Sequence, residues 1–456
     1  MMRNTMRRRD LFTLTAAIAG STLTGCTPGT PQVADDPLGE FPINFADSPA
    51  WSGTESQTEI TAVKDHHLVA MTVIPEAEPA FAHGWVPVVV DALGPTTRAL
   101  LLEDDGTWVT KPVTPKKGSE GTKMSQTART AMIQGPAVID DTHAYIVAGV
   151  LLLEAPGQFE GTPTHTPSDL RCPVMLFKIR LDDGAVIATT AVSDDFEASL
   201  LRDAALSFTE DRSFLLLAGG AGQSITSSVG VGWIGLRLST ADLGVEFDAR
   251  ALYSGLGISS VSPAGQGVLV TLSSSVLGKE VVRLADGHRV TTSSTKALVI
   301  GDWLHHSEQN NDHSARLVAV NTRTGQRVDP TPGTVPPNDQ LEMFTAWPRT
   351  FTETRVIISS RYQEGLTVWL PGAPEPSFEL AASTAVHSGV AVLGDILYSW
   401  QGDDKTSTLT LRRLDSGEVL AEHPVPPRTL GSDIEAVTRW GAISWSRFFP
   451  ATKWLD

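Results

Sequence analysis

The sequence predicts an all-β chain folded as a β-propeller of four-stranded blades, eight in number, with seven as the alternative. Three observations carry the prediction. Short apolar runs joined by Asp/Gly turns recur along residues 41–456, a second and alternating kind of hairpin stands between them, and no stretch keeps a helical periodicity. Two hairpins make one four-stranded sheet, and such sheets returning at intervals are how a propeller is written in sequence.

The first unit is an apolar run, a short Asp/Gly/Glu turn and a second apolar run. It reads Ala62-Val63-Lys64-Asp65 into Leu68-Val69-Ala70-Met71, and Val138-Ile139-Asp140-Asp141 into Ala144-Tyr145-Ile146-Val147. It returns as Leu206-Ser207-Phe208 into Phe214-Leu215-Leu216-Leu217, from Val261 to Leu272 around Gly265, and from Leu298 to Leu304 around Gly301-Asp302. Phe351 to Ile358 around Glu353, Val390 to Leu397 around Gly394-Asp395, and Ala436 to Trp445 around Gly441 complete the series.

The second unit runs from Leu176 to Gly184, Val281 to Gly287, Leu317 to Gly325 and Leu409 to Gly417. Ala99 to Trp108 fits the same mould; Trp233 to Phe247 and Leu366 to Leu380 have longer turns. Alternation in Phe177-Lys178-Ile179-Arg180-Leu181 leaves one face in solvent, and the turn glycine supplies a positive φ. Seven full pairs precede the last hairpin at 436–445. The simplest closure therefore has the C-terminal strands share a sheet with a strand from about residues 41–60. A β-sandwich array is the rival fold, and it predicts no such relation between the chain ends.

Ahead of this domain, residues 1–9 carry Arg3, Arg7, Arg8 and Arg9 as their only charges, followed by a moderately apolar run from Leu11 to Leu23. That run is shorter than the roughly 20 residues a spanning helix needs, so it reads as a signal segment. Arg8-Arg9-Asp10-Leu11-Phe12 resembles the twin-arginine export motif. Leu23-Thr24-Gly25-Cys26 resembles the bacterial lipobox at all four positions. That resemblance implies a diacylglyceryl group on the Cys26 thiol and cleavage that leaves Cys26 as the first mature residue. Two acyl chains hold a protein on a membrane where one does so only marginally. Residues 26–40, with Pro28, Gly29, Pro31, Pro37 and Gly39, read as a tether whose reach is on the order of 45 Å when extended.

The chain carries a net charge of −17, and removal of residues 1–25, with four Arg and one Asp, brings it to −20. Such acidity argues against a nucleic-acid partner and against docking of the domain itself on anionic lipid. The membrane is expected as a partner through the lipid alone. Only Cys26 and Cys172 are present, so once Cys26 is acylated no disulfide is available and the core must supply the stability. Cys172, beside Pro173, reads as a small buried hydrophobe with no base to activate it.

Val318-Ala319-Val320-Asn321-Thr322-Arg323-Thr324-Gly325-Gln326-Arg327-Val328 resembles the outer hairpin of the quinoprotein-like (PQQ-like) propeller repeat. Phe177 to Ile187 and Leu411 to Leu420 are further copies. The resemblance implies a propeller over most of residues 60–445. The Trp that closes this hairpin in the family is Val328, Ile187 and Leu420 here, and the vicinal cysteines of family enzymes are missing. Many members of that family have lost the cofactor and act as lipid-anchored scaffolds in envelope assembly, so the resemblance implies such a role as well.

Catalytic signatures are absent from the sequence: no phosphate-binding Gly-rich loop, no Gly-x-Ser-x-Gly elbow and no EF-hand loop. Asp104 to Trp108 reads as a hairpin turn with a packed Trp. Asp302-Trp303-Leu304-His305-His306, with Asp312-His313 beyond, is the best metal candidate. Neighbours in a strand face opposite sides of a sheet, however, so His305 and His306 are not expected to share an ion, and His66 and His67 fail on the same ground. No catalytic residue, metal or cofactor is assigned. The expectation is a lipid-anchored extracytoplasmic binding or scaffold protein on the outer face of the cytoplasmic membrane, showing its propeller loops to a protein, peptide or glycan of the cell envelope. The alternative is a quinone- or metal-dependent propeller enzyme, an oxidoreductase or lyase.

Overall fold

In a computed structural model the chain divides into two units, residues 1–32 and 33–456. The structure describes residues 39–455 except 54–57, 74–84, 114–129, 153–170, 221–231, 254–256, 275–278, 294–297, 310–314, 330–343, 348–355, 362–364, 382–386, 403–406, 426–433 and positions 95, 104, 285 and 445. Arg8, Arg9, the lipobox at Leu23, Thr24, Gly25 and Cys26, and the tether up to residue 38 lie outside the described residues.

Strands β1 (Pro42–Phe45) and β2 (Trp51–Ser52) precede a first sheet of β3 (Thr58–Lys64), β4 (His67–Val73), β5 (Trp85–Asp91), β6 (Thr96–Leu102) and β7 (Trp108–Val113). The second sheet holds β8 (Thr130–Ile139), β9 (His143–Leu152), β10 (Arg171–Arg180) and β11 (Val186–Glu197), followed by a single helical turn, α1 (Ala198–Leu201). The third has β12 (Ala205–Phe208), β13 (Phe214–Gly220), β14 (Trp233–Ser239) and β15 (Val245–Asp248), then α2 (Arg250–Tyr253). The fourth is β16 (Ile258–Ala264), β17 (Gly267–Ser274), β18 (Lys279–Leu284) and β19 (Arg289–Ser293). The fifth is β20 (Leu298–Ile300), β21 (Trp303–Gln309), β22 (Ala315–Asn321) and β23 (Arg327–Val328). The sixth is β24 (Phe344–Trp347), β25 (Val356–Arg361), β26 (Gly365–Trp369) and β27 (Phe378–Ala381). The seventh is β28 (His387–Leu393), β29 (Ile396–Gly402), β30 (Ser407–Arg413) and β31 (Val419–Val425). The last is β32 (Ile434–Thr438), β33 (Gly441–Ser444) and β34 (Arg447–Trp454), with β1 and β2 both paired to β34.

The apolar core is divided into layers between consecutive sheets. Val69 and Leu100 of the first sheet pack with Ile146 and Phe177 of the second, and Tyr145 and Leu176 pack with Leu215 and Ile234 of the third. Ala218 meets Val261 and Val268 of the fourth sheet, whose Leu269 and Val282 meet Leu304 of the fifth. Between the fifth and sixth, Gly372 lies so close over Trp303 that a Cβ there would fall 2.4 Å from the indole. Leu366 and Val368 join Val392 and Leu397 of the seventh sheet, and Tyr398 and Leu409 join Ile434 and Phe449 of the last. Ile443 and Phe448 then pack with Ile60 and Leu68 of the first sheet. The sheets thus form a closed ring, a β-propeller.

Backbone hydrogen bonds repeat with the sheets. Among the described residues, five sheets show the residue after the third strand donating its N–H to the carbonyl of the residue just before the second strand. The pairs are Ala92 to His66, Leu181 to Thr142, Thr240 to Ser213, Thr322 to Asp302 and Leu414 to Asp395, at 2.7–3.0 Å. Ala451, within β34, does the same to Trp440 at 2.8 Å. The outer turns share a second pattern, in which Gly184, Gly325 and Gly417 bond back to the carbonyls of Arg180, Asn321 and Arg413 with φ of 71–74°. In the third sheet Leu243 holds that place at φ 63°, with its side chain buried against the core.

The expected closure is present. β1 pairs with the end of β34 through Pro42↔Trp454 and Phe45↔Ala451, and β2 pairs with its start through Trp51↔Phe448. Two buried hydroxyls tie this sheet to the first: Thr438 Oγ1 donates to the Asp65 carbonyl and Ser446 Oγ to that of Thr58, both at 2.7 Å.

Three expectations need correction. The hairpin Ala99 to Trp108 supplies the fourth and fifth strands of the first sheet, because β5 intervenes as the third; Pro87 inside β5 broke its strand signature. In the sixth sheet β25 starts at Val356 and pairs with Phe344–Trp347, not with the run expected from Phe351, which lies outside the described residues. The last hairpin turns at Arg439-Trp440 and not at Gly441, which pairs with Thr438. Gly441 is required there by the Phe449 carbonyl, 2.2 Å from where a Cβ would stand.

Deleting residues 433–456 is expected to leave the domain aggregated or protease-sensitive, since it strips β1 and β2 of their partner and uncovers the apolar faces of two sheets. A milder form is Phe448→Ala, at a side chain with no exposure, which should cost about 3–5 kcal/mol in denaturant unfolding. An unchanged midpoint would show that the ring does not depend on this seam.

Candidate functional site

The first sheet departs from the repeat at its inner turn. Lys64 pairs with His67, leaving Asp65 and His66 as a two-residue turn, with Asp65 at φ 55°. Gly265, Gly301 and Gly394 hold the corresponding place in other sheets; Asp is among the few residues that tolerate it. His66 is therefore a turn residue, and the alternation that sends strand neighbours to opposite faces does not govern it. Its ring lies 4.2 Å from that of His67, tilted by 35°, and meets Trp440 edge-on at 4.8 Å. The expectation that these two histidines point apart is thus overturned by the turn between β3 and β4.

The recurring bond from Ala92 to the His66 carbonyl brings the end of β5 alongside. Asp91 Oδ1 stands 3.6 Å from His66 Nε2, fixed by hydrogen bonds from the N–H groups of Leu93 at 3.1 Å and Gly94 at 2.8 Å. One donor atom from each of His66, His67 and Asp91 falls within 4.8 Å of the others. Among the described residues no other group of three His, Cys, Asp or Glu converges in this way. Nδ1 of His66 is buried without a hydrogen-bond partner. Burial, reinforced by the neighbouring His66, holds His67 below the usual histidine range, although Asp91 and Asp65 pull the other way. Two imidazoles and a carboxylate form a donor set suited to a divalent transition ion.

The other histidine pair lies within a strand. His305 and His306 lie side by side in β21, opposite Ala319 and Val318, and both are buried. His306 Nε2 reaches Thr291 Oγ1 of the fourth sheet at 3.4 Å, while His305 Nε2 finds no partner. Burial, followed by the charge of His306, pushes His305 down to about 4. Asp312 and His313 lie outside the described residues. Cys172 is buried against the backbone of Gly149, and burial pushes its thiol up to about 11, which makes it an inert packing group. Trp108 packs edge-on against Phe177 at 4.8 Å, as a turn-flanking aromatic should.

Asp91 had no signal in the sequence, because the strand that carries it was not legible. His66 and His67 were visible as a pair, and the Lys64–His67 turn is what would have joined them.

No family model matches the sequence, and no curated protein matches it. Solved structures do resemble the fold. The computationally designed Ika8 protein is 11% identical, with 91% of this chain and 100% of that one covered at a TM-score of 0.41. BamB from Moraxella catarrhalis is 11% identical, over 86% of this chain and 95% of that one, at 0.34. The Dos1 propeller is 10% identical, over 90% and 93%, at 0.37.

His305 gives a test of the buried pair. In the unfolded chain it takes its proton near 6.5, in the folded chain only near 4, so stability is intact above the first value and is lost as pH falls toward the second. The loss is on the order of 3 kcal/mol. Urea unfolding at about pH 7.5 and about pH 5 should show a smaller drop for His305→Gln than for the parent chain. Equal drops would mean that His305 does not titrate differently on folding.

Proposed function

We propose that the protein is a lipid-anchored binding or scaffold propeller of the cell envelope, held on the outer face of the cytoplasmic membrane through Cys26. The observation that carries this reading is the sequence Leu23-Thr24-Gly25-Cys26 behind Arg8-Arg9, followed by a Pro/Gly tether that leads to a closed ring of sheets. Each of the eight sheets is read as one blade, with residues 1–25 as signal peptide, 26–40 as tether and 41–456 as propeller. The resemblance of Val318–Val328 to the quinoprotein-like hairpin supports the same reading, since many members of that family without the quinone act as scaffolds. A ring held by inter-sheet packing offers rigid ends and variable loops, the arrangement on which recognition surfaces are commonly built. The partner proposed is a protein, peptide or glycan of the envelope, chosen by loops and not by the domain's net charge, which repels anionic surfaces.

Two variants test the anchor and the route. Cys26→Ser is expected to move the protein from the membrane fraction to the soluble fraction or to stall its processing; an unchanged membrane fraction would refute the anchor. Arg8→Lys with Arg9→Lys should leave unprocessed precursor in the cytoplasm. Normal processing of that double variant would assign export to the general secretory route.

A further inference from the structure

The turn between β3 and β4 is the one inner turn among the described residues where two imidazoles and a carboxylate meet. We propose that His66, His67 and Asp91 bind a single zinc-class divalent cation at the seam where the ring closes.

The geometry supports this in three ways. Donors about 2.0–2.1 Å from a tetrahedral zinc stand roughly 3.4 Å from one another, and His66 Nε2 is 3.6 Å from Asp91 Oδ1. All three donor atoms lie within 4.8 Å, a separation that small side-chain rotations close. The carboxylate is also pre-oriented: Leu93 and Gly94 hold its Oδ1 by their N–H groups, a supporting shell of the kind that fixes ligating carboxylates.

The surroundings say what the ion would do. His66 packs edge-on against Trp440, and Thr438 donates to the carbonyl of Asp65 next to it. A cation on this turn therefore locks the first sheet at the point where the closing sheet leans on it. Asp91, at the end of β5, is bound into the same knot through the Ala92 bond to His66. Three protein donors leave the remaining coordination to water, so the site is a three-ligand one and not a closed four-ligand one.

The test uses the full chain in detergent, stripped with chelator and titrated with zinc chloride. One zinc per chain is expected, with a melting temperature raised by about 3–6 °C at a hundredfold excess over Kd. His66→Gln and Asp91→Asn should each weaken binding at least tenfold while the metal-free melting temperature stays near that of the parent; Asn keeps the oxygen that caps Leu93 and Gly94. No zinc binding by the parent, or equal binding by both variants, overturns the proposal. Cobalt substitution of the parent chain gives a readout that needs no variant. Strong visible bands of a four- or five-coordinate ion with imidazole donors are expected, and the weak spectrum of the hydrated ion overturns the site.

Discussion

The pairing of β34 with β1 and β2 is the constraint on which the remaining structure depends. Each sheet buries its faces only against its neighbours, so no sheet is complete by itself and the ring has no single core to fall back on. Without that pairing the first and last sheets would each present an apolar face and an open edge. With it, β1 and β2 are both paired to β34, and Thr438 and Ser446 satisfy carbonyls of the first sheet from across the junction. Separation along the chain is large at this junction, but the entropy of closing a loop grows only slowly with its length, and the buried apolar side chains of Ile443, Phe448 and Phe449 offset it.

The recurring bond from the third strand to the inner turn has a local consequence. It ties the two hairpins of a sheet together at one end, so the inner turn and the start of the outer turn form one rigid corner. In four sheets that corner holds Thr142, Ser213, Asp302 or Asp395 and has no convergent donors among the described residues. In the first sheet the same corner holds His66, with His67 and Asp91 beside it. The cluster therefore arises from an unremarkable backbone by a change of three side chains.

Much of the ring was legible because its signals are local. Asp182-Asp183-Gly184 and Thr322-Arg323-Thr324-Gly325 mark outer turns by residue chemistry alone, and their strands alternate as half-solvated strands must. The need for an N-terminal strand in the last sheet followed from counting hairpins. What escaped was non-local or disguised. β5 carries Pro87 amid valines, which disguises its strand signature and hides both the fifth strand and Asp91. Leu243 takes a glycine's place at positive φ with its side chain buried, and no turn rule anticipates that. The histidine cluster is hidden in the sequence because His66 belongs to a turn, where strand alternation does not hold.

The closing strand is also the last to be made. Residues 447–454 follow every other strand of the ring, so β1, β2 and the apolar side of the first sheet remain without their partner while the ribosome works through the sheets between them. At typical bacterial rates of about 5–20 residues per second, that interval is on the order of tens of seconds. During it the nascent chain lacks the strand that closes the ring. A chain stalled before Arg447 would lack the strand that covers both seam faces.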